Sequence, residues 1–278
     1  MTSVIGVNIS RIQHGESVEH QDKLAIEEPL SIHLRHVQDG EYRTREFVST
    51  MRTPGDDQNL VTGLLLTCGV LQSATQIDHI KAVEQPRQPF SNLLLVTLRP
   101  EVNINSVEFS RQLESNSACG ICGQQRIEQL YQQRSDGPVQ QLLLLHAGQI
   151  LALPEQLAQL QPLFNQTGGS HAIALFDHQG HIVDVCEDIG RHNAMDKLLG
   201  RYSDVLMQPS SGFGVLLSGR ASYELLQKAA MLHIQMVVAI GAPSSLAVQV
   251  AEELDITLIG FVGNGGFNLY SGKQRVLP

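Results

Sequence analysis

The stretch "HAIALFDHQGHIVDVCEDI", residues 171–189, decides the architecture of this chain. Two apolar runs flank a polar segment with a glycine, so the stretch predicts a β-hairpin turning at Gly180. Downstream the period changes. "GRHNAMDKLLGRY" (190–202) predicts a short helix closed by Gly200, and "FGVLLSG" (213–219) a buried strand. "RASYELLQKAAMLH" (220–233) carries helical apolar spacing at Leu225, Leu226, Ala229 and Met231. "QMVVAIG" (235–241), "SSLAVQVAEELD" (244–255) and "ITLIGFV" (256–262) continue as strand, helix and strand. Strands joined through helices need parallel crossovers, while the leading hairpin adds an antiparallel edge. The expected fold class is therefore α/β, a mixed three-layer sheet. A hairpin followed by helix–strand alternation is also the order of the cytidine-deaminase-like fold.

Upstream of the hairpin the first 25 residues are polar and are expected to be flexible. Leu30, Ile32 and Leu34 alternate within "EEPLSIHLRHV" (27–37), which predicts a strand. "YRTREFVSTMRTP" (42–54) predicts a second strand ending at the Pro54-Gly55 turn. "DDQNLVTGLLLTCGVL" (56–71) predicts a buried helix capped by Asp56 or Asp57, and "NLLLVTLRP" (92–100) a strand. "VQQLLLLHAGQILALPEQLAQLQPLFNQ" (139–166) predicts one or two helices, the clearer one starting at Pro154. Four regions result: a flexible N-terminus (1–25), a smaller α+β part (26–110), a mobile loop (111–135) and the α/β domain (136–278).

Composition narrows the function classes. The 278 residues are 42% hydrophobic, 17% charged and carry a formal net charge of −9. An acidic balance argues against a broad nucleic-acid surface, yet it leaves room for a local anion pocket. The start "MTSVIGVNIS" lacks the basic and apolar regions of a secretory signal. No apolar run approaches the ~20 residues of a spanning helix, so membrane insertion is not expected. Four cysteines, only two of them close together, suit a reducing cytoplasm rather than a disulfide scaffold.

The segments after the strands are chemically alike. "EDIGRHN" places Arg191 and His192 at a helix start, and "SGRASYE" brings Ser218, Gly219 and Arg220 to the next. "GAPSSLA" offers Ser244 and Ser245 as caps, and "GFVGNGGFNLY" supplies Gly263, Gly265 and Gly266. The turn Thr167–His171 ("TGGSH") precedes the hairpin and is expected to share the same rim. In open α/β sheets, ligands sit beyond the carboxyl ends of the strands. Free N–H groups at helix starts favour anions, arginine adds forked donors, and glycine permits close approach. The pattern points to a phosphorylated, nucleotide-containing ligand, with Arg191, His192, Ser218, Arg220 and Ser244 holding phosphates or bases. Asp188 reads equally as a ligand contact and as a helix cap.

A cysteine pair, Cys119 and Cys122 in "NSACGICGQQR", has three readings: half of a zinc site, a redox dithiol, or a nucleophile. Structural zinc needs four ligands, and a second paired knuckle is missing. Cys68 and Cys186 fall in an apolar helix and a strand, where free cysteine is normally buried. Deaminase zinc chemistry needs His-x-Glu, but Ile173 stands where that glutamate belongs, and the cysteines lie upstream of the histidine. The pair instead follows a long polar stretch and is flanked by glycines. That suits an accessible thiolate which visits two partners.

Several segments together resemble the FdhD/NarQ family: "MRTPGDD" (51–57), "CGICG" (119–123), "TGGSHAIAL" (167–175), "CEDIGRHNAMDKLLG" (186–200), "LLSGRASYELLQKAA" (216–230), "SSLAVQVAEELDITLIGF" (244–261) and "GFNLY" (266–270). The resemblance runs from Glu28 to Tyr270. It implies a sulfurtransferase that takes persulfide sulfur from a cysteine desulfurase. The sulfur would pass to the molybdenum cofactor, Mo-bis(molybdopterin guanine dinucleotide), before that cofactor enters formate dehydrogenase. It implies Cys119 as the persulfide carrier with Cys122 as auxiliary, and a cofactor-binding loop at Phe261, Val262, Gly263, Asn264, Gly265 and Gly266. It also implies the deaminase-like fold, a homodimer and no permanent metal. The sequence departs from the family pattern at Cys68, where Glu is common, and at Gly219, where Ser is usual. The segment "GFVGNGG" also lacks the basic residue often found there. A cofactor-binding chaperone with a structural C-x-x-C is the alternative reading.

Overall fold

The computed structural model describes residues 3–84, 90–102, 104, 142–208 and 212–278. Strands β1 (Val4–Gln13) and β2 (Glu16–Ala25) form an antiparallel two-stranded ribbon. The N-terminus, expected to be loose, is thus a regular hairpin. Its signal is weak because most of its residues are exposed on both faces and polar residues interrupt the alternation.

Next come β3 (Glu28–Gln38), β4 (Glu41–Arg52), α1 (Asp57–Thr67), β5 (Ile77–Ala82) and β6 (Leu93–Leu98). The strands make a four-stranded sheet in the order β4-β3-β6-β5, with β3 and β6 parallel. Leu30, Ile32 and Leu34 are fully buried, as their alternation predicts. Each such aliphatic side chain contributes roughly 1.5–3 kcal/mol of burial. Strand β5 lacks a sequence signal: "IDHIKA" carries three charged or histidine residues and sits at the sheet edge. Asp56 is the N-cap of α1 in a left-handed conformation, but its side chain makes no capping bond.

Beyond the cysteine region lie β7 (Leu145–His146), α2 (Ala147–Gln159) and α3 (Pro162–Thr167). Pro154 is inside α2 rather than at its start. The helix begins after His146, where Gln149 reaches back to the His146 N–H at 2.8 Å. The proline that opens a helix is Pro162. Then follow β8 (His171–Phe176), β9 (Ile182–Asp188), α4 (Arg191–Arg201), α5 (Ser203–Leu206), β10 (Gly214–Leu217), α6 (Tyr223–Met231), β11 (Met236–Ala239), α7 (Ser245–Glu253), β12 (Thr257–Gly263), β13 (Gly266–Ser271) and β14 (Val276–Leu277). Strand β14 pairs with β7.

The major sheet has the order β13-β12-β11-β10-β8-β9. Strands β10, β11 and β12 are parallel, and β8 runs antiparallel to both β10 and β9. The chain is therefore a mixed α/β protein, as the alternation of elements predicts. One face of this sheet buries Ala172, Ala174, Phe176, Leu216, Val238 and Ile259 beneath Ile150, Leu153 and Leu157 of α2. The other face shares a larger core with α4, α6, α7, α1 and the four-stranded sheet. Among the described residues, no helix is long and apolar enough to cross a membrane.

Two expected helix ends move. Gly200 does not close α4; it lies within the helix and is the point of closest approach to α1. A Cβ there would stand 1.9 Å from the Asn59 carbonyl oxygen, and one at Gly63 would stand 2.0 Å from the Asp196 carbonyl oxygen. The helix after β10 starts at Tyr223 rather than at Arg220.

Candidate functional site

Because β8 is antiparallel to β10 and β9, its start meets the ends of β9, β10, β11 and β12 at one sheet edge. His171 pairs with Asp188, and Ile173 with both Cys186 and Leu217. Backbone bonds then stitch the loops together. Ser218 N–H donates to the Ala172 carbonyl at 3.0 Å, Gly241 N–H to Gly219 at 3.0 Å, and Phe261 N–H to Gly241 at 3.2 Å. Ala221 N–H donates to Ala242 at 3.1 Å, and Ser244 N–H to Ala221 at 2.9 Å. Gly241 is required by this closeness: a Cβ would stand 3.0 Å from the Arg220 nitrogen and the Gly219 carbonyl.

The rim thus gathers Arg191, His192, Ser218, Arg220, Ser244 and Phe261. Arg220 is exposed, two residues past Ser218 in the connection to α6. Ser218 Oγ accepts the Ala172 N–H at 2.9 Å, so its oxygen helps join two strands. Ser244 is the α7 N-cap, and its Oγ accepts the Ala247 N–H at 3.2 Å. Its oxygen serves its own helix rather than standing free.

The segment Phe261–Gly266 is not a loop after the last strand. Strand β12 runs on to Gly263 and turns through Asn264 and Gly265 into β13, which pairs antiparallel with it. Both turn residues have positive φ, 49° and 78°, as a two-residue type I′ hairpin requires. The register shifts between Gly260 and Gly263, so Phe261 sits at a bulge. Its φ is +56°, a conformation bulky residues rarely adopt, and its side chain is 51% exposed. Val262 is buried in the core below, whereas Asn264, Gly265 and Gly266 are exposed. At Phe261 a left-handed backbone and an exposed ring thus occur together at the rim.

A cavity of about 500 Å³ opens beside this rim. It is lined by the turn Gly168–His171 together with Gln161, Phe164, Ile189, Ser218 and Ile240. The turn expected to share the rim therefore does so. Phe164, Ile189 and Ile240 carry no polar signature, and only the tertiary structure brings them to a ligand-sized space.

Burial and neighbouring cations lower the pKa of both rim histidines. Burial, then the Arg191 charge, hold His171 below the usual histidine range, against the pull of Asp188. His192 is pushed down to about 4 by burial, with Arg191, Lys228 and His171 adding to the effect and Glu224 opposing it. The Glu224 carboxylate stands 3.8 Å from His192 Nε2. A histidine with a depressed folded pKa loses stability as pH falls from its unfolded value near 6.5 toward the folded one. We expect His192→Gln to flatten the urea midpoint between pH 6.5 and about 4, where the wild-type midpoint falls. An unchanged slope in the variant would contradict this placement of His192.

Asp188 is committed to structure. Its fully buried carboxylate meets Lys197 Nζ at 2.7 Å and accepts N–H bonds from Thr53 at 3.1 Å and Gly190 at 2.8 Å. Lys197 also donates to the Thr53 carbonyl at 2.8 Å. The segments "MRTPGDD" and "EDIGRHN" are therefore one network under the rim, and Asp188 takes neither of its two expected roles: its carboxylate is buried on Lys197, and the α4 N-cap is Gly190, which has no side-chain cap bond. Arg52 extends it, donating to both Asp57 carboxylate oxygens at 3.0 Å.

Cys186 is buried, and its thiol is pushed up to about 12 by burial, which makes it inert. Cys68 follows α1 and is half-buried. Cys119 and Cys122 lie outside the described residues. Among the described residues, no group of three or more His, Cys, Asp or Glu side chains is placed to hold a metal ion.

Comparison with known proteins gives a consistent answer. The family model described as FdhD/NarQ family matches residues 25–277. A Saccharolobus solfataricus protein named sulfur carrier protein FdhD is 36% identical, with 97% of this chain and 96% of the relative covered. Relatives of the same name from Streptomyces coelicolor and Thermoplasma acidophilum are 38% and 37% identical, covering 96% and 97% of this chain and 94% and 92% of their own lengths. A crystal structure from Desulfotalea psychrophila, described as a formate dehydrogenase accessory protein, aligns over 99% of this chain and 100% of its own. Its TM-score is 0.74 at 23% identity, a likeness of fold.

Proposed function

The chain belongs to the FdhD/NarQ family, and on that premise we propose that it is a sulfur carrier serving formate dehydrogenase. In this reading Cys119 is the acceptor. Its thiolate attacks the outer sulfur of a cysteine desulfurase persulfide, forming the Cys119 persulfide and releasing the desulfurase thiolate. Sulfur then passes to the molybdenum cofactor, which is cargo rather than a resident group. Cys122 drives release: its thiolate attacks the inner sulfur of the persulfide, giving a Cys119–Cys122 disulfide and expelling the outer sulfur as hydrosulfide. The two cysteines supply the two electrons of that step.

The observation that carries the binding half is the convergence of four strand ends on one rim. Arg191 and Arg220 supply planar cationic donors for pyrophosphate oxygens. The helix starts at Arg191, Tyr223 and Ser245 add positive dipole ends. Phe261 and the Asn264-Gly265 turn present a ring and open backbone beside them. We read the order β9-β8-β10-β11-β12 as the deaminase-like arrangement, used here without deaminase chemistry. A cytoplasmic homodimer is the working assembly in this reading.

The test is mass spectrometry of the chain after incubation with a cysteine desulfurase and cysteine. An adduct of about 32 Da, one sulfur atom, is expected on Cys119 and absent in Cys119→Ala. If Cys119→Ala still restores formate dehydrogenase activity in cells lacking this protein, the carrier mechanism is wrong, and a cofactor-binding chaperone is left.

A further inference from the structure

We infer that the outward face of the β1–β2 ribbon is an interface with the same face of a second copy of this chain. The homodimer of the proposed function is the premise on which this rests, and the ribbon face is one of that dimer's contact surfaces. The ribbon keeps ten cross-strand pairs in unbroken register, from Val4–Ala25 to Gln13–Glu16. Its tip closes through His14 and Gly15, both at positive φ, as a two-residue type I′ turn requires. A two-stranded ribbon is marginal in water unless something packs on one face. The body meets the ribbon at its root. Val4 lines a space with Pro162 and Leu163 of α3, and Ala25 lies against Gly169. Side chains alternate between faces along a strand, so the next pair, Ile5 and Leu24, points away from the body.

From root to tip the pairs on that outward face are Ile5–Leu24, Val7–Asp22, Ile9–His20, Arg11–Val18 and Gln13–Glu16. Ile5, Leu24 and Val18 are 53%, 46% and 58% exposed, and Val7 and Ile9 are half-buried. The order of these pairs is self-complementary. Let a second copy lie antiparallel across the face, with the two-fold axis between the second and third pairs. Leu24 of each copy then meets Val18 of the other, Val7 meets Ile9, and Asp22 meets His20. The imidazole donates an N–H to the carboxylate, and Ile5 packs on the aliphatic stem of Arg11. A parallel overlay would instead lay each Asp22 on Val7, taking the carboxylate out of water without a partner. Ten residues per strand make a face about 33 Å long and about 10 Å wide, or roughly 330 Å². A standard interface takes about 800 Å² per partner, so the ribbons supply one part of the contact and other surfaces the rest.

Analytical ultracentrifugation of the full chain over a concentration series tests this, and the wild type should sediment as a dimer. Val18→Asp should raise the dimer dissociation constant about a hundredfold, because the two-fold sets the new carboxylate on Leu24 twice. Ile12→Asp is the control. Ile12 is 73% exposed on the opposite face of the ribbon, so the constant should stay within about threefold. His20→Asp sets two carboxylates against each other and should weaken the dimer about tenfold, and the double variant His20→Asp/Asp22→Lys should recover it. A wild-type constant in Val18→Asp overturns the inference and leaves the homodimer to another face. A wild type that sediments as a monomer at every concentration overturns the homodimer as well. Sulfur loading of Cys119 in the same variants keeps the carrier reading separate, and Val18→Asp should load at the wild-type level. Lost loading beside an unchanged dimer would make the ribbon face a docking surface for the desulfurase, and would overturn its assignment to a second copy.

Discussion

Lys197→Met should lower the unfolding free energy by about 3–5 kcal/mol, the usual cost of breaking a buried pair from one side. The side chains of Lys197 and Asp188 are 3% and 0% exposed, and they meet at 2.7 Å. Methionine fills much of the lysine volume, so the loss comes from charge rather than from a cavity. The Asp188 carboxylate would keep its N–H donors from Thr53 and Gly190 but no longer face a cation. Urea unfolding of the variant measures the loss. A control separates the charge effect from packing: in the double variant Lys197→Met/Asp188→Leu, the loss should be less than the sum of the two single losses. A loss below about 1 kcal/mol in Lys197→Met would mean that the pair is not a fixed part of the folded state. Because the network joins Thr53 to Gly190 directly beneath Arg191, the same variant should also weaken pyrophosphate binding.

Gly200→Ala should cost about 3 kcal/mol or more, at or beyond the upper end of ordinary overpacking. Two opposing effects set the sign. Alanine favours a helix interior over glycine by up to about 1 kcal/mol. Against this, the new Cβ would stand 1.9 Å from the Asn59 carbonyl oxygen, a backbone atom that cannot rotate away. Helices α1 and α4 would have to separate, and the buried hydrogen bond from Thr67 to Asp196 (2.9 Å) spans that contact. The steric effect wins. Gly148→Ala in α2 is the comparison, since a Cβ there meets nothing within 4 Å. It should be neutral or stabilising by up to about 1 kcal/mol. Equal urea midpoints for Gly200→Ala and wild type would mean that the two helices do not pack this closely.

Much of the major sheet was legible in the sequence because its strands and helices have separate periods. Buried parallel strands read as short apolar runs, and the helices after them read by residues such as Leu225, Leu226 and Ala229, all buried here. Signals failed where tertiary contact overrides local preference. Gly200 reads as a helix stop, yet its lack of a side chain serves a neighbouring helix. Pro154 reads as a helix start, yet α2 was already begun by a local cap at His146. The segment Phe261–Gly266 reads as a loop because glycine and asparagine mark turns, but a type I′ turn is also how a strand doubles back. The ribbon of β1 and β2 has too little burial to impress a clear alternation on its residues.

For the site, the sequence by itself determined that arginines and helix starts follow successive strands. It also determined a glycine-flanked cysteine pair able to act as a nucleophile. Only the tertiary structure decided that those strand ends share one edge, since antiparallel pairing of β8 with β10 and β9 brings His171 to Asp188 and Ser218 to Ala172. It alone turned Asp188 inward to Lys197 and placed Phe164, Ile189 and Ile240 around one cavity. The reason is physical: a residue's chemistry is local and can be read in order, whereas burial, charge partners and empty space depend on contacts between residues far apart in the chain.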